Sequence, residues 1–240
     1  MKYRILCCDV LEGEINYILS GTEHSYDIVY TKKAEHEKPD ELRAKIQALI
    51  DESTGFDAIL LGYGLCGNSI AGIKVREIPV IVPRAHDCCT LFLGSRKRFN
   101  DIFEGRESMG WGSTGYCRRD GDYLRNSDTG SVLGYDRTYE EYVEEYGKEN
   151  ADFIWETIHP KRQSDEVMFI DIPETHDADV FEGFMQEATG NGQKVIVEKG
   201  SIDLLRRFVS GDWNDDFLVV KPGCEITAVY GKEEIISSRG

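Results

Sequence analysis

The chain has 240 residues, with 28 Lys and Arg against 44 Asp and Glu and a formal net charge of −16. That length holds one large domain or two small ones, on the order of 100–200 residues each, and a content of 40% hydrophobic and 30% charged residues is that of a folded globular chain. So acidic a chain lacks the basic face that nucleic acid or an anionic lipid surface requires, so neither is an expected partner.

No stretch reaches the roughly 18 apolar residues of a membrane span. The opening MKYRILCCDVLEGE has an apolar run that is short and broken by Asp9, so it reads as a first strand and not as a signal peptide. The expected compartment is the cytoplasm, where thiols stay reduced and serve as metal ligands or catalytic groups more often than as disulfides. The chain has 7 cysteines, an odd number that no complete pairing accommodates. A free cysteine can also be a small buried hydrophobe.

In chain order, residues 3–7 and 26–31 read as strands. A helix follows, with Pro39 near its start, a stripe of Leu42, Ile46, Leu49 and Ile50, and Gly55 closing it. The continuous apolar run 56–61 suits a strand buried on both faces, and 78–83 repeats the pattern. Between them lie a glycine-rich loop and an expected short helix over 69–76. A helix is expected to open near Asp87. Residues 101–135 are rich in Gly, Ser, Arg, Asp and Tyr and read as a long loop. Thr138 and Glu141 form a capping box for a helix running to about Ile158. Strands at 167–172, 194–198 and 217–221 then alternate with amphipathic helices at 180–188 and after Ser201, and a last extended stretch closes the chain.

This alternation predicts an α/β fold: mainly parallel, Rossmann-like sheet or sheets with flanking helices, as two α/β portions (1–100 and 161–240) around a helical and loop-rich centre (101–160). The two portions form either one composite domain or two lobes. PRAHD (83–87) and PETHD (173–177), each after a buried strand, echo one another.

Ligands of parallel α/β sheets bind beyond the carboxyl ends of the strands. Cys7 and Cys8 end the first strand, Cys66 follows the third, Cys88 and Cys89 follow the fourth, and Cys224 follows 217–221. That shared edge is the main functional signal, because converging thiolates repel each other until a metal or cluster takes them up. One of each adjacent pair is expected to face the site. Gly62, Gly64 and Gly67, with Asn68 behind them, form a G-x-G-x-x-G loop that is at its plainest a tight turn needing glycine and has two further readings. Either its amides hold a phosphate at a helix N-terminus, or its glycines bring backbone close to a centre ligated by Cys66. Arg84 and His86 are candidate catalytic groups, since an imidazole beside Cys88 can activate a thiol or orient a ligand. Asp87 is expected to cap the following helix, as is Asp177 after His176. Cys117, between Tyr116 and two arginines, is a candidate for a lowered thiol pKa, a fourth ligand or a redox partner. The basic run 96–98 either meets an anionic substrate or is a solvated helix end.

The motifs GYGLCGN (62–68), PRAHDC (83–88), LGS (93–95) and GDW-x-x-DFLVV-x-PG (211–223) together resemble the family called domain of unknown function 1638, along nearly the whole chain. The family pattern has single cysteines after the first strand, in the glycine loop and in the HDC motif. These fall on Cys8, Cys66 and Cys88, leaving Cys7, Cys89, Cys117 and Cys224 as additions of this chain. The stretch around Cys117 departs from the family pattern. The resemblance implies no established activity, but it associates such proteins with anaerobic bacteria and archaea, often beside corrinoid methyltransferase systems. Three thiolates suit a [4Fe–4S] cluster with one open iron, or zinc with one open position. The expected function is therefore a cysteine-ligated metal or iron–sulfur protein of anaerobic one-carbon or sulfur metabolism, acting on a small molecule. It would be an enzyme or an assembly and delivery partner of a corrinoid or methyltransferase protein, and a homo-oligomer is compatible with it. The competing reading is a nucleotide- or phosphate-binding enzyme with a cysteine nucleophile.

Overall fold

Strands β1 (Lys2–Cys8), β2 (Ser25–Thr31), β3 (Ala58–Gly62) and β4 (Val80–Pro83) come first along the chain. They are followed by β5 (Gly110–Ser113), β6 (Glu166–Asp171), β7 (Lys194–Lys199), β8 (Phe217–Val220), β9 (Glu225–Ala228) and β10 (Ile236–Arg239). They belong to a computed structural model that describes residues 1–104, 106, 109–118, 138–158, 165–229 and 234–240. The first sheet has the order β2-β1-β3-β4-β8. Its first four strands are parallel, and β8 runs antiparallel to β4. The second sheet, β5-β6-β7, is parallel throughout, and β9 and β10 form an antiparallel hairpin. The fold is α/β with mainly parallel sheets, as the alternation predicts. β3 and β4 are apolar along their length because both faces are covered.

Short helices join the strands. A 3-10 turn (Asp9–Leu11) leads from β1 into α1 (Glu12–Leu19). A second 3-10 turn (Lys33–Glu37) leads from β2 into α2 (Pro39–Asp51), which buries Leu42, Ile46 and Ile50 as expected. α2 ends before Gly55, which instead takes a left-handed φ of 73° in the turn to β3. Asp87 caps α3 (Cys88–Leu93) by accepting from the Thr90 amide, and Ser95 caps α4 (Arg96–Phe103). Within the predicted central loop, β5 leads into the single turn α5 (Thr114–Cys117). The rest of that loop, 119–135, lies outside the described residues. The expected long helix is two, α6 (Tyr139–Tyr146) behind the Thr138–Glu141 capping box and α7 (Lys148–Ile158), parted by Gly147 at φ 74°. α8 (Ala178–Gly190) is capped by Asp177, and α9 (Asp203–Ser210) follows Ser201. Among the described residues no helix is long and apolar enough to cross a membrane.

One buried core joins both portions, with Ile5, Leu60 and Ile81 of the first sheet in the same cluster as Met168, Ile170 and Phe208. A smaller cluster of Val167, Phe169, Phe184 and Ala188 lies under α8. At the seam sits Glu14 of α1, 1% exposed. Its Oε1 accepts from Thr175 Oγ1 at 2.6 Å, while Oε2 has no hydrogen-bond partner. Burial holds the Glu14 carboxyl above its ordinary range, against the Thr175 bond and the charge of Arg118. A carboxyl raised in the folded state contributes stability below its unfolded pKa and loses it as pH rises through the folded value. Wild type is therefore expected to lose thermal stability relative to Glu14→Gln as pH rises from about 5, just above the ordinary carboxylate value, to about 8. Parallel melting curves at both pH values would refute this.

Candidate functional site

The strand order reverses between β1 and β3, since β1 has β2 on one side and β3 on the other. Such a reversal opens a crevice beyond the carboxyl ends of the two strands. Cys8 is the last residue of β1 and stands beside Thr31 at the end of β2. Cys7, its neighbour, points to the opposite face as strand alternation requires, and is fully buried.

The loop after β3 is folded onto the loop after β4. A Cβ on Gly62 would stand 2.6 Å from the Cys7 Cβ, and one on Gly64 would stand 2.5 Å from the Asp87 Cα and N. Across that contact the Leu65 amide donates to the Ala85 carbonyl at 2.9 Å, and the Cys66 amide to the His86 carbonyl at 2.9 Å. Cys66 and Cys88 are thereby brought to one place. Cys66 has a φ of 45° and Asn68 a φ of 71°. Asn tolerates that left-handed region, but Cys does so only at a cost, and strain of this kind clusters at functional sites.

The expected helix over 69–76 is absent; a succession of turns takes its place, because residues 66 to 68 turn left-handed. A pyrophosphate-binding G-x-G-x-x-G loop needs a helix N-terminus directly behind it, and this loop has none. Gly62 and Gly64 instead answer to close packing against Cys7 and Asp87.

Burial lifts the thiols of Cys8, to about 12, and of Cys66 and Cys88; charge on Cys8 would raise Cys66 and Cys88, and charge on Cys66 would raise Cys88. The buried Asp87 carboxylate adds to the rise at Cys66 and Cys88. The three thiols therefore lie in one another's field and are protonated at neutral pH. Among the described residues, however, no group of three or more His, Cys, Asp or Glu side chains is arranged to hold a metal ion. As thiols they share a neighbourhood and not yet a common point. The expected activation of Cys88 by His86 is not found: the Cys88 thiol is raised, and His86 is exposed, its ring 5.4 Å from that of Phe99. Cys117 is raised to about 11 by burial, which outweighs Lys33; its side chain packs near Gly112 and Phe184.

Arg84 turns toward the end of the chain, where its Nη1 donates to the Ile236 carbonyl at 2.6 Å. Cys224 lies at the opposite edge from the other thiols, because β8 is antiparallel and delivers its following residue beyond the start of β4. Cys89 is buried within α3. Lys97 pairs with Asp101 and Arg98 with Glu198, so much of the basic run is held by this chain's own acids. The two echoed motifs do one job: Asp87 and Asp177 cap helices, while His86 leans on Phe99 and His176 on Phe181.

A profile for the family described as "Protein of unknown function (DUF1638)" matches residues 30–209, three quarters of the chain. The chain belongs to this family. Cys66 and Cys88 of this DUF1638 protein lie inside the matched range and Cys8 outside it. No curated protein and no solved structure matches the chain.

Two groups that the sequence did not single out stand at the same edge, on the 3-10 turn after β2. His36 stacks on the buried Tyr63 with ring centroids 5.8 Å apart, and its Nε2 has no hydrogen-bond partner. Burial lowers that imidazole to about 4, so it is neutral at physiological pH. Lys33 places its Nζ 3.5 Å from the centre of the Tyr116 ring. Burial lowers its ammonium to about 8, opposed by the nearby Cys117, Cys88, Cys8 and Asp9. Parallel pairing alone could have found both, since residues after β2 emerge where Cys8 does.

Proposed function

We propose that this DUF1638 protein binds a [4Fe–4S] cluster or a zinc ion through the thiolates of Cys8, Cys66 and Cys88. The observation that supports the reading is that Cys8 at the end of β1, Cys66 in the loop after β3 and Cys88 at the start of α3 stand at one edge of the parallel strands, beside the crevice where the strand order reverses. The donor set fits such a group: three soft ligands, protonated when empty, within one another's field. Loading would displace a proton from each thiol, so affinity would rise with pH. Three protein ligands leave one position for an incoming molecule, which suits substrate binding better than simple electron transfer. The process proposed is one-carbon, corrinoid-linked methyl transfer or sulfur metabolism under anaerobic conditions, with a corrinoid or methyltransferase protein as partner.

The test is metal and acid-labile sulfide analysis, with a visible spectrum, on protein purified without oxygen. About four irons with sulfide and a broad visible absorption mean the cluster; one zinc and no colour mean a Lewis-acid or thiolate centre. Protein never exposed to air or chelator that carries no metal would overturn the proposal.

A further inference from the structure

We infer that His176 and Asp171 form a general-base pair at the carboxyl edge of the second sheet, and that it takes a proton from water attacking a small ester without negative charge. The inference stands apart from the metal reading above and uses none of its residues.

β6 is the middle strand of the parallel sheet β5-β6-β7, and Asp171 is its last residue. The carboxyl edge of a parallel sheet is where α/β folds place their ligands. His176 lies five residues on, in the loop that leads into α8, and its Nδ1 donates to Asp171 Oδ1 at 2.6 Å. Its ring is exposed, and among the described residues the other ring nitrogen, Nε2, has no hydrogen-bond partner.

The loop is fixed on both sides of the ring. Before it, the Thr175 amide donates to the Ile172 carbonyl at 3.0 Å, and the Thr175 hydroxyl donates to the buried Glu14. After it, Asp177 accepts from the Asp179 and Val180 amides and from Arg118 Nη2. The ring itself rests against Phe181, with centroids 5.9 Å apart. Glu14 belongs to the helix after β1, so the pair stands beside the seam between the two portions.

The echoed motif shows that the pair is not a requirement of the turn. PRAHD makes the same passage from strand to helix, with Asp87 capping α3. Five residues before His86, where the second motif has Asp171, stands Ile81, buried within β4. The cap therefore forms without a carboxylate from the strand, and the Asp171 side chain serves the imidazole.

A carboxylate on Nδ1 fixes the tautomer that leaves the lone pair on Nε2, and it stabilises the imidazolium formed when Nε2 takes a proton. Water is the simplest source of that proton. As the proton passes to Nε2, the water oxygen bonds to the ester carbonyl carbon. The bond to the alcohol then breaks, and the alcohol leaves with the proton from Nε2. Glu174 of the same loop and Asp179 in the first turn of α8 are exposed, in a chain of charge −16, so an anionic substrate is repelled.

The experiment uses the full chain without added metal and 4-nitrophenyl acetate as the probe, following 4-nitrophenolate over many turnovers. Wild type is expected to exceed an equal concentration of free imidazole about 100-fold, and His176→Gln to lose that gain. Asp171→Asn, which keeps the size of the side chain, should lower the rate by about tenfold or more. The role of Asp171 has a second readout in the nitrogen NMR signals of the five histidines. At a pH of about 9, where free histidine is neutral, His176 should carry its proton on Nδ1 in wild type and shift it toward Nε2 in Asp171→Asn. A pair that only tied the loop down would alter stability in that variant and leave the rate alone. A wild-type rate no higher than that of free imidazole, or one that survives His176→Gln or Asp171→Asn, would overturn the inference and leave the metal reading untouched.

Discussion

Gly64→Ala is expected to destabilise the protein by about 3 kcal/mol and to abolish metal binding. The added Cβ would stand 2.5 Å from both Cα and N of Asp87 and 2.8 Å from the His86 carbonyl carbon. All three are backbone atoms, so no side-chain rotation relieves the clash, and the two loops must part. Parting them breaks the Leu65–Ala85 and Cys66–His86 backbone bonds, worth about 1 kcal/mol each. It also shifts Asp87 from its capping position on α3, a further loss of about 1 kcal/mol. Cys66 and Cys88 ride on these two loops, so the two proposed ligands separate as the loops do. Gly67→Ala is the matched control. Gly67 has a φ of 62° but open space around it, so it should cost only roughly 1 kcal/mol of backbone strain and leave the loop contact intact. Denaturant unfolding and metal content of the two variants check the pair. If Gly64→Ala behaves like Gly67→Ala, close packing of the loops is not what assembles the site.

Gly64 also shows where sequence reasoning stops. G-x-G-x-x-G after a strand is a legible pattern, but what the glycines serve is decided by which backbone passes over them, and that is a tertiary fact. The helix expected over 69–76 failed for a related reason. Its residues suit a helix, yet Cys66 and Asn68 hold left-handed angles that no helix can start from. Signals carried by adjacent residues read correctly. Asp87, Asp177 and the Thr138–Glu141 box cap the helices assigned to them, and β1, β3 and β4 follow their apolar runs.

The site was legible to the extent that strands are parallel. Cys8, Cys66 and Cys88 each follow a strand of the parallel set, and the edge rule groups them. Cys224 broke the rule because β8 pairs antiparallel with β4, and nothing within FLVVK encodes the direction of its partner. β5 is four residues, two of them glycine. It has little strand propensity of its own and owes its existence to pairing with β6. Without β5 the sequence could not place Trp111, Tyr116 or Cys117 near the first sheet. Lys33 and His36 were within reach of the same edge rule, but a search that begins from cysteines passes over a 3-10 turn with no thiol in it.

Cys66→Gly is expected to separate stability from function. In the metal-free protein it should stabilise the fold by roughly 1 kcal/mol, because glycine takes a φ of 45° without the clash that a Cβ suffers there. In the same variant metal affinity should fall by more than about 100-fold, since even residues that only orient a metal ligand are worth 10- to 100-fold. Cys66→Ala should lose affinity equally but gain no backbone relief, so the two variants differ only in the strain. A position where glycine is the more stable residue, yet a thiol stands, is one where the thiol's chemistry outweighs its conformational cost. Thermal melts of the three metal-free proteins, with Co2+ titrations of each, measure both halves. Undiminished cobalt affinity in Cys66→Gly would remove Cys66 from the ligand set. A stability no higher than that of Cys66→Ala would remove backbone strain from the argument. The cysteine would then be an ordinary residue of a tight turn, and the case for the centre would rest on Cys8 and Cys88 with one neighbour fewer.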